Sequence, residues 1–98
     1  MNVIKESSGS QLTLRIQGRL DTTTAPQLET ELKASVEGVT ALVLDLAELA
    51  YISSAGLRVV LMAQKIMNKQ GTMVVRNVDP NVLEVFEVTG FSDILTIE

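Results

Sequence analysis

The sequence contains no cysteine and no histidine among its 98 residues. Disulfides, thiolate zinc sites and cysteine nucleophiles are therefore excluded, and so is every acid/base relay that depends on a histidine. No apolar run approaches the ~18 residues that a membrane span needs. The amino end, residues 1–6, also lacks the apolar segment of a secretory signal. We therefore expect a cytoplasmic protein without a membrane partner.

Basic and aromatic residues are few. Eight Lys and Arg stand against 12 Asp and Glu, which gives a net charge of −4, and the aromatic residues are one tyrosine and two phenylalanines. A protein that binds nucleic acid needs positive charge for the phosphates, and base stacking needs aromatic rings. Nucleic acid is therefore not expected as a partner. Because no linker or repeat interrupts the chain, residues 1–98 are predicted to form one domain.

Apolar patterning predicts alternating strands and helices. Leu12, Leu14 and Ile16 alternate with polar residues, as in a strand with one buried face, and residues 41–46 are apolar enough for a central parallel strand. The predicted strands are residues 3–6, 11–20, 41–46, 72–76 and 94–97, and the predicted helices are residues 25–36, 54–69 and 80–89. This order, β-β-α-β-α-β-α-β, predicts the α/β class with a mixed β-sheet, parallel core strands and three to four helices.

Parallel strands bring the loops that follow them to one edge of a sheet. The residues expected to meet there are Asp21, Thr22, Thr23, Thr24, Ser53, Ser54, Asn77 and Asp79. Some of them have a purely structural interpretation, because Thr24 with Gln27 fits a capping box and Asp79 fits the N-cap of the last helix. The edge is thus predicted to be acidic and rich in hydroxyls.

The Ser53–Ser54 pair differs from the other hydroxyls, since only one of the two can cap the second helix. The small residues Ala55 and Gly56 behind the pair predict a backbone that is open to close approach by another molecule. A serine nucleophile needs a neighbouring base, and the sequence offers neither a histidine nor a well-placed lysine. A serine hydrolase is therefore not expected, and we expect that the protein is not an enzyme.

Serine is better explained as a substrate. Phosphorylation of a hydroxyl at a helix start adds roughly −1.5 to −2 charges and three acceptor oxygens, and a helix N-terminus tolerates them. The effect should therefore fall on a protein that docks there, and Asp21 would add repulsion toward an acidic partner. A metal-dependent site built from Asp21 and Asp45 stays open as an alternative.

The second helix indicates where a partner could dock. Helical spacing from Ser54 places Arg58, Leu61, Met62 and Lys65 along one stripe. Residues 59–63 are apolar at five consecutive positions, which is more than one buried face requires. Either the helix is enclosed between the sheet and the first helix, or an apolar strip beside Ser54 is exposed for docking.

Four segments, in this order, resemble the STAS domain of bacterial anti-sigma-factor antagonists, and the resemblance spans residues 3–97. They are Gly18-Arg19-Leu20-Asp21, Leu42-Val43-Leu44-Asp45-Leu46, Tyr51-Ile52-Ser53-Ser54-Ala55-Gly56-Leu57 and Val85-Phe86-Glu87-Val88-Thr89-Gly90-Phe91. The resemblance implies a single STAS domain in which the hydroxyl at the start of the second helix is the phosphoacceptor. By position this is Ser54, with Ser53 the less favoured choice.

The resemblance also implies a partner switch and no cofactor. The unphosphorylated protein would bind an anti-sigma factor that is also a serine kinase, and so free a sigma factor. Phosphorylation of Ser54 by that kinase would end the complex, and a serine phosphatase would restore it. The residues expected to meet the partner are Asp21, Thr22, Thr23, Ser53, Ser54, Arg58, Leu61 and Met62.

The sequence departs from the commonest family pattern on both sides of the acceptor. Ser53 stands where an aspartate is frequent, and Ala55 stands where a hydroxyl residue is frequent.

Two other functions of the protein stay open. One is an adaptor subunit bound to an ABC-type ATPase in lipid transport, in which Ser54 need not be modified. The other is a stressosome-like scaffold, which should assemble into large particles.

Overall fold

The structure, a computed structural model, describes residues 1–98. Its strands are β1 (Asn2–Ser8), β2 (Gln11–Leu20), β3 (Ala41–Asp45), β4 (Leu49–Ile52) and β5 (Thr72–Arg76), and its helices are α1 (Ala25–Ser35), α2 (Ser54–Gln70) and α3 (Pro80–Val88). A single 3-10 turn, Phe91–Asp93, follows α3. The predicted α/β class with a mixed sheet is confirmed.

The sheet has parallel strands at its centre. β1 pairs antiparallel with β2, β2 is parallel to β3, and β3 is parallel to β5. β4 pairs in parallel with the last residues of β2, beyond the part of β2 that β3 covers. The carboxyl ends of β2 and β4 therefore lie side by side at one edge of the sheet. Asp21 and Ser53 are the residues that directly follow these two strands.

The helices and the inward side chains of the strands form one hydrophobic core of 24 residues. Leu14 and Ile16 of β2 and Leu28 and Leu32 of α1 are fully buried in it. Burial of a leucine or isoleucine side chain contributes about 1.5–3 kcal/mol. The other face of the sheet is charged, with Arg15 3.0 Å from Glu6 and 3.6 Å from Asp45. No helix combines the length and the apolar character that crossing a lipid bilayer requires.

The strands predicted from the sequence differ from those of the structure in two segments. β4 lies in a segment predicted as a connection. The register shifts between Gly18 and Arg19 in its partner strand, and the burial pattern of β4 is buried, exposed, exposed, buried. This pattern lacks the alternation from which a strand is predicted. The predicted strand at residues 94–97 is reduced to one bridge between Val75 and Ile97, because the chain first makes the 3-10 turn.

One predicted helix cap is wrong and another is confirmed. The Thr24 side chain makes no cap hydrogen bond to α1, since its hydroxyl donates to the Arg19 carbonyl at 2.8 Å. The Gln27 N–H donates instead to the Thr24 carbonyl at 3.0 Å. Asp79 does cap α3 and accepts from the Asn81 N–H at 2.9 Å. The hydroxyl of Thr24 therefore serves the end of β2 and not the start of α1.

Gly71, which follows α2, packs closely against the main chain of Thr40, the residue before β3. A Cβ at Gly71 would lie 1.9 Å from the Thr40 carbonyl oxygen, which already accepts from the Thr72 N–H at 2.9 Å. We predict that Gly71→Ala lowers the free energy of unfolding in urea by about 3 kcal/mol or more. Gly38→Ala is the control, since nothing lies within 4 Å of its Cβ. Its positive φ of 78° should cost about 1–2 kcal/mol. An equal or smaller loss for Gly71→Ala would contradict this account.

Candidate functional site

Ser53 and Ser54 have different roles at the start of α2. Ser53 is the N-cap, with φ −100° and ψ 177°, and its hydroxyl accepts from the Gly56 N–H at 3.5 Å. Ser54 is the first helical residue, and it is exposed. Its hydroxyl has no hydrogen-bond partner within the chain. Of the two adjacent hydroxyls, that of Ser54 is therefore the one available to another molecule.

Gly56 brings the start of α2 close to the sheet. A Cβ at this position would lie 2.7 Å from Leu20 Cγ and 2.8 Å from Ile52 Cγ1. The space beside Gly56 is thus filled by the chain itself, and the expectation of a backbone open to another molecule is wrong at this residue. Ala55 is half-buried and lines a groove at the surface.

Asp21 organises the turn between β2 and α1. Its Oδ1 accepts from the Thr23 N–H at 3.0 Å and from the Thr24 N–H at 3.2 Å, and the Thr24 hydroxyl accepts from the Asp21 N–H at 2.9 Å. The hydrogen bonds that the carboxylate accepts, foremost that from the Thr24 N–H, hold the pKa of the Asp21 carboxyl below its ordinary value of 3.8, and the charge of Arg19 adds to the effect. Asp21 is therefore a carboxylate engaged in this turn.

The Asp21 turn and the start of α2 are joined directly. The Ser53 N–H donates to the Leu20 carbonyl at 2.9 Å. The guanidinium carbon of Arg19 lies 4.2 Å from the centre of the Tyr51 ring, and its Nε lies 3.8 Å from Asp21 Oδ2. The last residues of β2 and β4 are thus held together by main-chain and side-chain contacts directly before the start of α2.

Arg19 and Tyr51 are not among the site residues that the sequence predicts. Tyr51 is 41% exposed although it lies in a strand, and Arg19 stacks on its ring. Both belong to the segments that carry the family resemblance, which is the signal that could have identified them. Their pairing was not predictable, because it depends on β4, which the sequence pattern does not indicate.

Several of the predicted partner-contacting residues lie along two grooves that meet at Arg58. Thr22 and Arg58 line a groove of about 320 Å³ between the starts of α1 and α2. Arg58, Leu61 and Met62 line a second, shallow groove of about 510 Å³ along α2. Leu61 and Met62 are half-buried, whereas Thr23 and Arg58 are exposed. Part of the apolar strip that follows Ser54 therefore reaches the surface.

The residues that were expected to meet at this edge of the sheet lie in two separate groups. Asn77 Nδ2 donates to Asp45 Oδ1 at 3.3 Å, and Asp79 caps α3, so these residues form contacts of their own beside β3 and β5. Asp45 and Asp21 belong to separate hydrogen-bond sets. No group of three or more acidic side chains converges in a geometry that could hold a metal ion. The site around Ser54 therefore consists of hydroxyls, one carboxylate and the surface of α2.

Comparison with known proteins gives consistent matches over nearly the whole chain. Residues 4–96 match a family model described as Mlab, STAS domain. BtrV of Bordetella bronchiseptica, by its name a candidate anti-sigma factor antagonist, is 42% identical over 99 aligned positions, which cover 99% of this chain and 85% of BtrV. The anti-sigma-B factor antagonist of Listeria monocytogenes is 32% identical over 97 residues, which cover 97% and 85% of the two chains. Bacillus SpoIIAA in its phosphorylated form has a similar fold, with a TM-score of 0.77 at 19% identity over 99% of this chain and 91% of SpoIIAA.

The Asp21 turn predicts a pH-dependent contribution to stability. Because hydrogen bonds lower the folded-state pKa of Asp21 below the ordinary value of 3.8, its contribution to stability is complete above that value and is lost as pH falls through the folded pKa. Asp21→Asn should therefore unfold at lower urea concentration than the wild type at pH 7, and this difference should shrink as the pH is lowered below about 4. A difference for Asp21→Asn that stays constant with pH would contradict the assignment.

Proposed function

Because the chain belongs to the STAS domain family, we propose that it is an anti-sigma factor antagonist whose binding is switched by phosphorylation of Ser54. The unphosphorylated protein binds an anti-sigma factor that is also a serine kinase, and a sigma factor is freed. Transfer of a phosphoryl group from ATP to Ser54 ends the complex, and a serine phosphatase restores it. The observation that carries this proposal is the exposed, unbonded hydroxyl of Ser54 at the start of α2.

The relatives support both halves of the proposal. The Listeria protein is an anti-sigma-B factor antagonist by name, and BtrV has the same kind of name, which supports an anti-sigma factor as the partner. SpoIIAA exists in a phosphorylated form, which supports a modified state in a protein of this fold. In this role the chain is a regulator, and its serine is a substrate for another protein.

The geometry favours Ser54 over Ser53 as the acceptor. Phosphoryl transfer requires that the attacking hydroxyl approach the terminal phosphate of ATP in line, with the kinase supplying the metal ions and the catalytic base. The Ser54 hydroxyl is free to do so, whereas that of Ser53 accepts from the Gly56 N–H. Modification of Ser53 would disturb the N-cap, which contributes about 1 kcal/mol to the stability of a helix.

A phosphate on Ser54 would be accommodated by its own protein. The first N–H groups of a helix have no intrahelical acceptor, and they favour an anion at this place. Arg58 is four residues further along α2, the spacing at which an anionic group and a cation on one helix interact. The phosphate would thus engage Arg58 and add negative charge beside Asp21. Both effects weaken binding of a partner that contacts Arg58.

We predict that incubation with the kinase and ATP adds one phosphate to the wild type and to Ser53→Ala, and none to Ser54→Ala, as mapped by mass spectrometry. Ser54→Ala should remain bound to the kinase. Ser54→Asp should bind roughly 10-fold more weakly or worse, because it places a permanent negative charge at the helix start. Phosphate found on Ser53, or wild-type affinity of Ser54→Asp, would contradict the proposal.

A further inference from the structure

The basic side chains of this protein fall into two classes. Five of the eight form ion pairs with acidic side chains, namely Lys5, Arg15, Arg19, Lys33 and Arg76. The other three are Arg58, Lys65 and Lys69, and all of them lie on α2, which contains no Asp or Glu. In a chain with a net charge of −4, the basic side chains without an ion pair are thus confined to one helix.

The three unpaired cations rim an apolar groove. They recur at intervals of seven and four residues, which places them on one side of the helix over about 17 Å. Leu61, Met62 and Ile66 lie between them and are half-buried, and the six side chains line the same groove of about 510 Å³. We call this surface the basic groove.

No acidic side chain of this protein forms an ion pair with the basic residues of the groove. Glu29 lines the adjacent groove beside Arg58, but its carboxylate pairs with Lys33 at 3.3 Å. An occupant that satisfies the basic groove needs apolar side chains for the floor and carboxylates for the rim. An amphipathic helix with acidic flanks has both, at matching spacing. A polyanion such as nucleic acid would be repelled by the net negative charge of the whole chain.

We propose that the basic groove binds an acidic amphipathic segment of a partner protein. The identity of this partner as an anti-sigma factor rests on the proposed function, and the basic groove is a second contact for it, C-terminal to Ser54 along α2. An acidic partner also explains why negative charge at Ser54 weakens the complex. The phosphate repels the partner segment and draws Arg58, at the N-terminal end of the groove, toward itself.

The test uses a synthetic probe and needs neither kinase nor phosphorylation. The probe is a fluorescein-labelled helical peptide with leucines at i, i+3, i+4 and i+7 and glutamates at the flanking positions, and its counterpart carries lysines in place of glutamates. Fluorescence anisotropy should show binding of the acidic peptide only. Raising NaCl from about 0.05 to 0.5 M should weaken this binding several-fold. Lys65→Glu/Lys69→Glu should weaken it about 10-fold, since each reversed charge removes an attraction and adds a repulsion.

The matched control is Lys5→Glu/Arg76→Glu, which changes the net charge equally at two exposed positions outside α2. It should bind the acidic peptide within about 2-fold of the wild type, because exposed charges beyond a Debye length are screened. Lys65→Gln/Lys69→Gln gives the same readout with a smaller loss of binding, should the charge reversal prevent folding.

The proposal is overturned by absence of binding, by equal binding of the lysine peptide, or by equal losses of binding in both charge-reversal variants. Recruitment to phosphatidylglycerol vesicles through Lys65 and Lys69, in preference to the peptide, would likewise overturn it. The phosphorylation tests on Ser54 can succeed or fail independently of these results.

Discussion

The hydrogen bond from the Ser53 N–H to the Leu20 carbonyl fixes the start of α2 against the end of β2. Gly56 strengthens this constraint, because the close approach of α2 to Leu20 leaves no room for a side chain. The main chain of Ser53 thus binds the sheet, and its hydroxyl caps the helix. Ser54 is the first residue after this junction, and its side chain makes no hydrogen bond within the chain. The junction therefore presents an exposed, unbonded hydroxyl.

α2 combines two electrostatic regions within one rigid element. Its N-terminal end favours an anion, is bonded through the Ser53 N–H to Leu20, the residue before Asp21, and carries Ser54. The face that begins at Arg58 is basic, unpaired and partly apolar. Under the proposed function, a phosphate added at the first region would change the charge that a partner meets at the second. Regulation of this kind needs no moving loop, since attraction and repulsion act on the same docked surface.

The sequence predicts the parallel core well, because β2 alternates between apolar and polar residues, β3 is an apolar run, and Gly38 and Gly71 follow the ends of α1 and α2. It does not predict β4, whose four residues lose the alternation of buried and exposed positions where the register of β2 shifts. The cap of α1 is mispredicted because the Thr24 hydroxyl is already bonded to the Arg19 carbonyl and the Asp21 N–H, and Asp21 Oδ1 accepts from the Thr24 N–H that Gln27 would bond in a capping box. Whether the basic residues of the groove find acidic partners depends on the tertiary structure. Lys5, for example, finds Glu31 across the fold, and no local pattern indicates this pair.

The central claim is that a charge on the Ser54 hydroxyl, and not a change in the fold, controls association with the anti-sigma factor. The most direct measurement compares the unmodified protein with one carrying phosphoserine at residue 54, installed by semisynthesis, in calorimetric titrations against the purified anti-sigma factor kinase. The account predicts that affinity falls about 100-fold, equivalent to about 2.7 kcal/mol, while the circular dichroism spectrum and the thermal unfolding midpoint of the protein stay the same. Equal affinity of the two forms, or a loss accompanied by unfolding of α2, would contradict it.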